Sequence, residues 1–467
     1  TASQLVATDA NKKLQSLPVA TYPSLTELSY VKGLTSSVQG QLSDMTTSVK
    51  SFGAKGDGTT DDTIAMQAAF DSMASDGGAM YIPTGTYIVS GLRLTRKARA
   101  YIYGDGWGSI IKLKNGSNKD LIYCTWCDRS IFTHFRIDGN KSNNTIGSCI
   151  VLTDNSAYAC IEGMEIHDAP EYGISVKGGF DPENPTNYLY TDEVHVNQSF
   201  VYSNGKSGLR IDGVGGLIIT NSEFEYNNEH GICTTYEGIS GANGHIISGC
   251  NILSNKKCGI HLYMSARVTI SNNVFCFNSD NGVYSEGGGW NWLIGNQFED
   301  NAQLTHGSNI KTCYQTDVWL LNNIVTNADN VNPGAWQGFT AWDAGNIYLM
   351  GNSFTNHQYG NIAVYGTTEY VSLFNEGIPD RMPSVSAMIY SASVVNNVIS
   401  VTIPNYVFGQ IYYLALNDSI TSLCVVSINN GNSINLIDKT GSNITSLING
   451  AVIAVCQPTS VSNLQIV

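Results

Sequence analysis

The stretch Val268 to Ser285 reads VTISNNVFCFNSDNGVYS. Its apolar residues fall in three short runs, VTI, NVF and GVYS, separated by polar turn residues. Within each run they alternate with period 2, the spacing of a strand, and not with the 3.6 period of a helix. Similar segments flank it: EIHDAPEYGISV, SFVYSNGKSGLRI, EFEYNNEHGICT and NILSNKKCGIHL. Each has an apolar residue, a polar turn, then Gly followed by Ile or Leu. The central apolar positions read as Ile166, Phe200, Phe224, Ile252, Phe275, Phe298, Ile324 and Phe354, with spacings of 34, 24, 28, 23, 23, 26 and 30. A period of this size marks a solenoid. Three short strands per unit make it a parallel β-helix, and the irregular unit length excludes a strict propeller blade.

The same frame accounts for the asparagines, of which there are 46 beside 47 glycines. Asn273, Asn296, Asn322 and Asn352 stand two residues before a central apolar position. Asn227, Asn255, Asn278, Asn301 and Asn327 stand three after one. Stacking puts equivalent residues about 4.8 Å apart, so these amides are expected to ladder from coil to coil and to tolerate left-handed turns.

Composition narrows the class. Of 467 residues only 13% are charged, with 24 Lys+Arg against 38 Asp+Glu and a net charge of −14. That excludes a Glu- and Lys-rich coiled coil. With 42% hydrophobic residues the chain is not disordered. A pI near 4.9 argues against a nucleic-acid binder. No apolar run approaches a membrane span. Thr1 to Ala10 lacks the basic and apolar regions of a secretion signal, and a start at Thr instead of Met fits removal of an upstream piece. Eleven cysteines, an odd number, sit mostly inside apolar segments and read as reduced core thiols. Cys124 and Cys127 form a lone C-x-x-C without a second pair and read as ordinary thiols.

Residues 1–47 read as a polar connector, with a helix expected over Thr26 to Leu42. Residues 48–97 carry TTDDTIAMQAAFDSMASDGG, a helix with Asp61 and Asp62 at its start and Met66, Ala69, Phe70 and Met73 along one face. Helix capping explains Asp57, Asp61 and Asp62 with fewer assumptions than a calcium site. Residues 98–370 hold the repeats, and 371–467 read as a small C-terminal β-domain for trimerisation or glycan binding.

The segment VKSFGAKGDGTTDDTIAMQAAF, Val49 to Phe70, resembles the opening motif of the pectate-lyase-like superfamily of right-handed parallel β-helices. This form is typical of bacteriophage tailspikes and of some polysaccharide-degrading enzymes. SLPVATYPSLTELSYVKGLTSSVQGQL upstream resembles the connector of spikes from phages that infect encapsulated bacteria. The resemblance implies a homotrimer on a phage tail or baseplate, attached through the N-terminal region. Such a spike is made in the host cytoplasm, carried on the virion and used at the host surface to bind and cleave capsule or lipopolysaccharide. It implies no nucleic-acid partner and no membrane insertion, and it fixes no catalytic residue.

Gly sets the register of the third strand in each unit. Inward residues are Ile174/Val176, Leu209/Ile211, Ile232/Thr234, Ile260/Leu262, Val283/Ser285 and Ile310/Thr312. Outward residues are Ser175/Lys177, Arg210/Asp212, Cys233/Thr235, His261/Tyr263, Tyr284/Glu286 and Lys311/Cys313. Glycoside hydrolysis needs two carboxylates, about 5–5.5 Å apart for retention and about 6.5–9.5 Å for inversion. Asp212 and Glu286, three coils apart, are separated by roughly 14 Å. Asp212 and Glu237 come to roughly 8 Å, so they are the expected pair, with Glu286 in reserve. Arg210, His261, Tyr263, Tyr284 and Lys311 are expected to bind sugar, and Trp290, Trp336 and Trp342 in the following loops to stack on it. A competing cluster holds Glu165, His167, Asp168 and Glu171, with Glu223, Glu225, Glu229 and His230 two coils on.

The expected activity is hydrolysis of a surface polysaccharide. The rival within enzymes is β-elimination on a uronate polymer, with Arg210, His261, Tyr263 or Lys311 as base or neutralising cation. A non-catalytic trimeric adhesin is the alternative of another class. No ligand spacing compels a metal, and no cofactor is expected. Without a Gly-x-Ser-x-Gly elbow, an α/β-hydrolase esterase is disfavoured.

Overall fold

The computed structural model describes residues 5–18, 20–30, 32–33, 47–181, 184–189, 191–235, 243–302, 307–315, 317–327, 337–357, 360–366 and 369–378, and six strands between 389 and 466. In the coil quoted above the three strands are Thr269–Ser271, Val274–Cys276 and Val283–Gly289. Each pairs in parallel with its counterpart one coil on, through Thr269↔Trp292, Val274↔Gln297 and Val283↔Ile310. Repetition builds three parallel sheets of 12, 12 and 11 strands. The first runs from Gly78–Ile82 to Glu369–Leu373, the second from Asp57–Asp61 to Ser353–Thr355, and the third from Leu92–Thr95 to Ile362–Tyr365. The chain is a right-handed parallel β-helix.

The interior is a set of apolar columns. On the second sheet Ile166, Val201, Phe224, Ile252, Phe275, Phe298, Val325 and Phe354 are all fully buried. The rings of Phe275 and Phe298 stack at 4.6 Å. Burying each such side chain contributes roughly 1.5–3 kcal/mol. Two expected members are displaced by one residue. Phe200 and Ile324 face outward, and Val201 and Val325 take the interior positions.

The corners explain the slip. One residue per coil between the first and second sheets adopts φ between +48° and +67°: Gln198, Asn221, Gly249, Asn272, Gly295, Asn322 and Gly351. Asn and Gly are the cheapest occupants of that conformation. Asn322 is therefore the corner residue, and its neighbour Asn323 is the ladder member. That ladder runs Asn273, Asn296, Asn323, Asn352, Asn375. A second runs Asn204, Asn227, Asn255, Asn278, Asn301, and ends on Asn309. Asn309 Nδ2 donates in turn to Asn327 Oδ1 at 3.4 Å. Each rung is fully used. Asn255 Oδ1 accepts the backbone N–H of Asn227 (3.2 Å) and its side-chain amide (2.9 Å). Asn255 Nδ2 donates to the Phe224 carbonyl (3.0 Å) and to Asn278 Oδ1 (2.9 Å).

Gly before the third strand is a packing requirement. A Cβ on Gly231 would lie 2.7 Å from the Gly259 carbonyl oxygen and 2.8 Å from Ile252.

Helix Thr63–Ser72 buries Met66, Ala69 and Phe70. Asp62 stands at its start without capping it. Its carboxylate instead accepts the N–H groups of Lys55 (2.7 Å) and Gly56 (3.0 Å), holding the preceding loop. The N-terminal helix is confined, among the described residues, to Leu25–Ser29, capped by Ser24 and Glu27. Residues 31 and 34–42 of the expected longer helix lie outside the described residues. Strands Ile389–Val395, Val398–Thr402, Tyr413–Leu416, Cys424–Asn429, Ser433–Ile437 and Asn463–Ile466 form one six-stranded sheet. Among the described residues no helix is long and apolar enough to cross a membrane.

Candidate functional site

The outer face of the third sheet carries its side chains in two columns. One runs Arg93, Tyr123, Val151, Ser175, Arg210, Cys233, and on through His261, Tyr284, Lys311 and Thr340. Beside it run Lys177, Asp212 and Thr235, then Tyr263, Glu286, Cys313, Trp342 and Tyr365. The expected inward and outward assignments of this sheet match that register. Trp342 is the last residue of strand Gln337–Trp342, not a loop residue, and packs against Tyr365. Trp290, just past Val283–Gly289, donates to Asp317 Oδ2 (3.1 Å) and lies under the Arg267 guanidinium. Glu237 and Trp336 lie outside the described residues.

The expected carboxylates do not meet among the described residues. Asp212 is buried and held by Arg210 Nη2 at 2.8 Å. Glu286 is three strands further along, roughly 14 Å away.

Two groupings do form. In the first, a polar depression of about 380 Å³ opens around Tyr172. Tyr172 directly precedes Gly173 and so stands at the sheet's edge. Lys206 Nζ lies 5.2 Å and the Arg210 guanidinium 5.3 Å from its ring centre. Lys177, Ser175, Asp120 and Glu171 line the rest. Burial raises the Tyr172 pKa, and Arg210 and Lys206 oppose the rise by favouring the phenolate. Glu171 pairs with Lys206 at 2.6 Å. Burial pushes the Glu171 carboxyl up, but Lys206 and the Gly147 N–H outweigh it and leave it lowered. Tyr172 and Lys206 were missed as site residues because strand alternation does not reach turn positions, whereas Lys177 was read as outward from its strand but not as part of the site. The available signal was the residue just before each conserved-spacing Gly, which forms an edge column of its own: Tyr172, Ser207, His230, Cys258.

In the second grouping His261 stacks on Tyr284 at 4.9 Å and tilts against His230 at 4.9 Å. Lys311 Nζ lies 4.8 Å over Tyr284. Glu286 Oε2 is 3.8 Å from His261 Nε2, beyond hydrogen-bond reach. Burial lowers both histidine pKa values, that of His230 to about 3, so both rings are neutral at pH 7. His230 Nδ1 accepts the Cys258 N–H at 3.2 Å.

The competing cluster is split: Glu165, His167, Glu223 and Glu225 lie on strands of the second sheet, whereas Glu171 lines the Tyr172 depression and His230 packs against His261. Glu165 is clamped by Arg136 (2.6 Å) and by the Tyr202 hydroxyl. Asp138, His167 and Asp168 bring ligand-type atoms within 4.8 Å of one another. Lys112 already pairs with Asp138 (2.6 Å) and Lys141 with Asp168 (3.1 Å), so the charge a cation would balance is met.

Comparison with known proteins agrees with this architecture. Residues 46–126 match the family "Rhamnogalacturonase A/epimerase, pectate lyase-like", and residues 149–312 and 237–376 match "Right handed beta helix region". The chain is 28% identical over 398 residues to mannuronan C5-epimerase AlgE5 of Azotobacter vinelandii, covering 69% of this chain and 37% of that protein. It is 34% identical over 205 residues to alginate lyase 7 of the same organism, covering 39% and 22%. It is 33% identical over 160 residues to the preneck appendage protein of Bacillus phage PZA, covering 30% and 18%. The match thus spans little more than a third of these relatives at most. Among solved structures, the AlgE4 A-module of Azotobacter vinelandii superposes with TM-score 0.55 at 21% identity, covering 70% of this chain and 99% of that one. The Dettilon tailspike superposes with TM-score 0.54 at 15% identity, covering 86% and 79%. Both likenesses are of fold.

Proposed function

We propose that the chain is a polysaccharide-modifying enzyme that abstracts the proton α to the carboxylate of a uronate polymer. The observation that carries this reading is the placing of Lys177, Lys206 and Arg210 around Tyr172, on the outer face of a chain of net charge −14. Asp212 and Glu171 hold Arg210 and Lys206 in place, and Lys177, which has no ion-pair partner among the described residues, supplies the charge for an anionic ligand. The cations neutralise the sugar carboxylate, which lowers the cost of the carbanion-like species formed when the C5–H bond breaks. Tyr172 exchanges the proton. Return of a proton to the opposite face gives epimerisation, and loss of the O4-linked sugar gives elimination. Sequence similarity to mannuronan epimerases and an alginate lyase supports the same step.

The test is incubation with polymannuronate in deuterium oxide. Deuterium at C5, or unsaturated ends seen by ultraviolet absorbance, is the expected result. Tyr172→Phe should lower either signal roughly 10²- to 10⁴-fold. New reducing ends without unsaturation or deuterium would instead support hydrolysis by Asp212 and Glu237, with Glu286 in reserve. That second reading rests on Asp212 and Thr235 sharing a column two residues short of Glu237. Binding with no chemistry would leave an adhesin.

We further propose that the chain works on a phage tail, as a homotrimer acting at a bacterial surface polysaccharide. Similarity to a phage appendage protein supports the setting. The first sheet supports the assembly. Its outer column changes from Asn197, Thr220, Ser248 and Ser271 to Ile294, Leu321 and Met350. Beside these stand Trp292, Trp319 and Tyr348, stacked at 5.1 and 5.2 Å. Rings stacked on one another cover their faces and present edges. That suits a packed copy of the same chain better than a sugar ring.

A further inference from the structure

A second depression, of about 730 Å³, opens on the same outer face nearer the N-terminus. Helix Thr63–Ser72 forms one wall through Thr63, Gln67 and Asp71, and the third sheet forms the floor through Arg93, Thr95 and Tyr123. Gln67 fixes the helix to the sheet with two hydrogen bonds to the Arg93 backbone, at 2.8 and 2.9 Å. The opposite wall is Lys119 and Asp120, set close by Gly91 at φ +109°, where a Cβ would lie 2.8 Å from the Asp120 carbonyl oxygen.

Arg93 and Lys119 are exposed, line this space and have no ion-pair partner among the described residues. The Arg93 guanidinium is fixed 5.0 Å over the Tyr123 ring, which orients it without neutralising it. Lys177 of the Tyr172 depression reaches the same ring at 5.9 Å, and Asp120 lines both depressions. Arg93, Tyr123, Val151, Ser175 and Arg210 are consecutive in one column, so four strand spacings, roughly 19 Å, separate the two arginines.

We infer that the depression between helix Thr63–Ser72 and the third sheet is a distal binding subsite for a uronate residue of the polymer, with Arg93 and Lys119 taking its carboxylate. This rests on the reading of the Tyr172 depression as a uronate site. The Asp71 and Asp120 carboxylates are acceptors for sugar hydroxyls. A chain that reaches from Tyr172 to Arg93 spans several sugars, so the subsite selects polymer over short oligomers.

The experiment measures retention of the purified chain in native gels containing polymannuronate, at low and high salt. Arg93→Gln and Lys119→Gln are compared with Lys13→Gln, which removes the same charge from the N-terminal antiparallel pair Val6–Thr8 and Leu14–Ser16. Each groove variant is expected to bind roughly 3- to 10-fold more weakly at low salt. The deficit should shrink at high salt, and Lys13→Gln should bind as the parent does. Both groove positions are exposed, so folding is not at stake. Parent-like binding by the Arg93 and Lys119 variants, with polymannuronate still retained by the parent, would overturn the subsite alone. No retention of the parent would overturn the uronate reading and the subsite with it.

Discussion

His245 is fully buried behind the corner that leads into strand Ile246–Ser248. Its Nδ1 accepts the Leu217 N–H at 3.1 Å, and its Nε2 has no hydrogen-bond partner among the described residues. Burial lowers its pKa from 6.5 to about 4. Between those values the unfolded chain binds the proton and the folded one does not. The contribution of neutral His245 is therefore complete above pH 6.5 and is lost as pH falls toward 4. The slope is about 1.4 kcal/mol per pH unit in that window. His245→Asn keeps an acceptor for Leu217 and removes the titration. Its unfolding midpoint should fall less steeply than the parent's between pH 6.5 and 4, measured by denaturant titration. At this scale the sequence is uneven. Arg210 and Asp212 could be read as outward neighbours from the Gly before their strand. Tyr172 could not, because a residue at a turn obeys no alternation, and its importance comes from Lys206 and Arg210 arriving one strand later.

The asparagine ladders show where element-level reading holds and where it slips. A polar residue at a fixed offset, repeated from coil to coil, is visible as a pattern. Whether Asn322 or Asn323 is the rung is not, because both the left-handed corner and the rung favour Asn. Only the interior position of Val325 decides between them. Asn278 lies in mid-ladder, fully buried, with bonds to Asn301 and to the Ile252 carbonyl and with Asn255 bonded to it. Asn278→Ala leaves the backbone N–H and one side-chain N–H of Asn255 without an acceptor and removes the amide donor to the Ile252 carbonyl, while Asn301 Oδ1 keeps the backbone N–H of residue 278. It should destabilise the helix by roughly 2–4 kcal/mol, read as a lowered urea midpoint. Asn327 meets Asn309 at 3.4 Å, longer than the 2.8–2.9 Å rungs of the ladder, and Asn327→Ala should cost less than Asn278→Ala.

For the whole molecule, the repeat was legible because stacking imposes one local pattern many times. The groove chemistry was less so, since it depends on which non-equivalent residues the stack brings side by side. The assembly is open to direct test. If the apolar half of the first sheet faces a threefold axis, Trp319→Asp places three carboxylates against packed rings. The expected outcome is a monomer by light scattering, with the monomer's circular dichroism unchanged. A trimer that survives the change would place the contact elsewhere. The corner and rung spacing has a further consequence. Successive rungs Asn255, Asn278 and Asn301 are 23 residues apart, as are Cys250, Asn273 and Asn296. The β-helix is thus a ruler graduated in residues. Duplicating residues 268–290 in frame would add one rung to each ladder and one strand to each sheet, and would extend the outer face by about 4.8 Å. Gene-level copy number of a single coil then sets the length of sugar chain the protein can span. Inserting a single residue within a strand, as opposed to a turn, would move apolar side chains outward and should destabilise the stack.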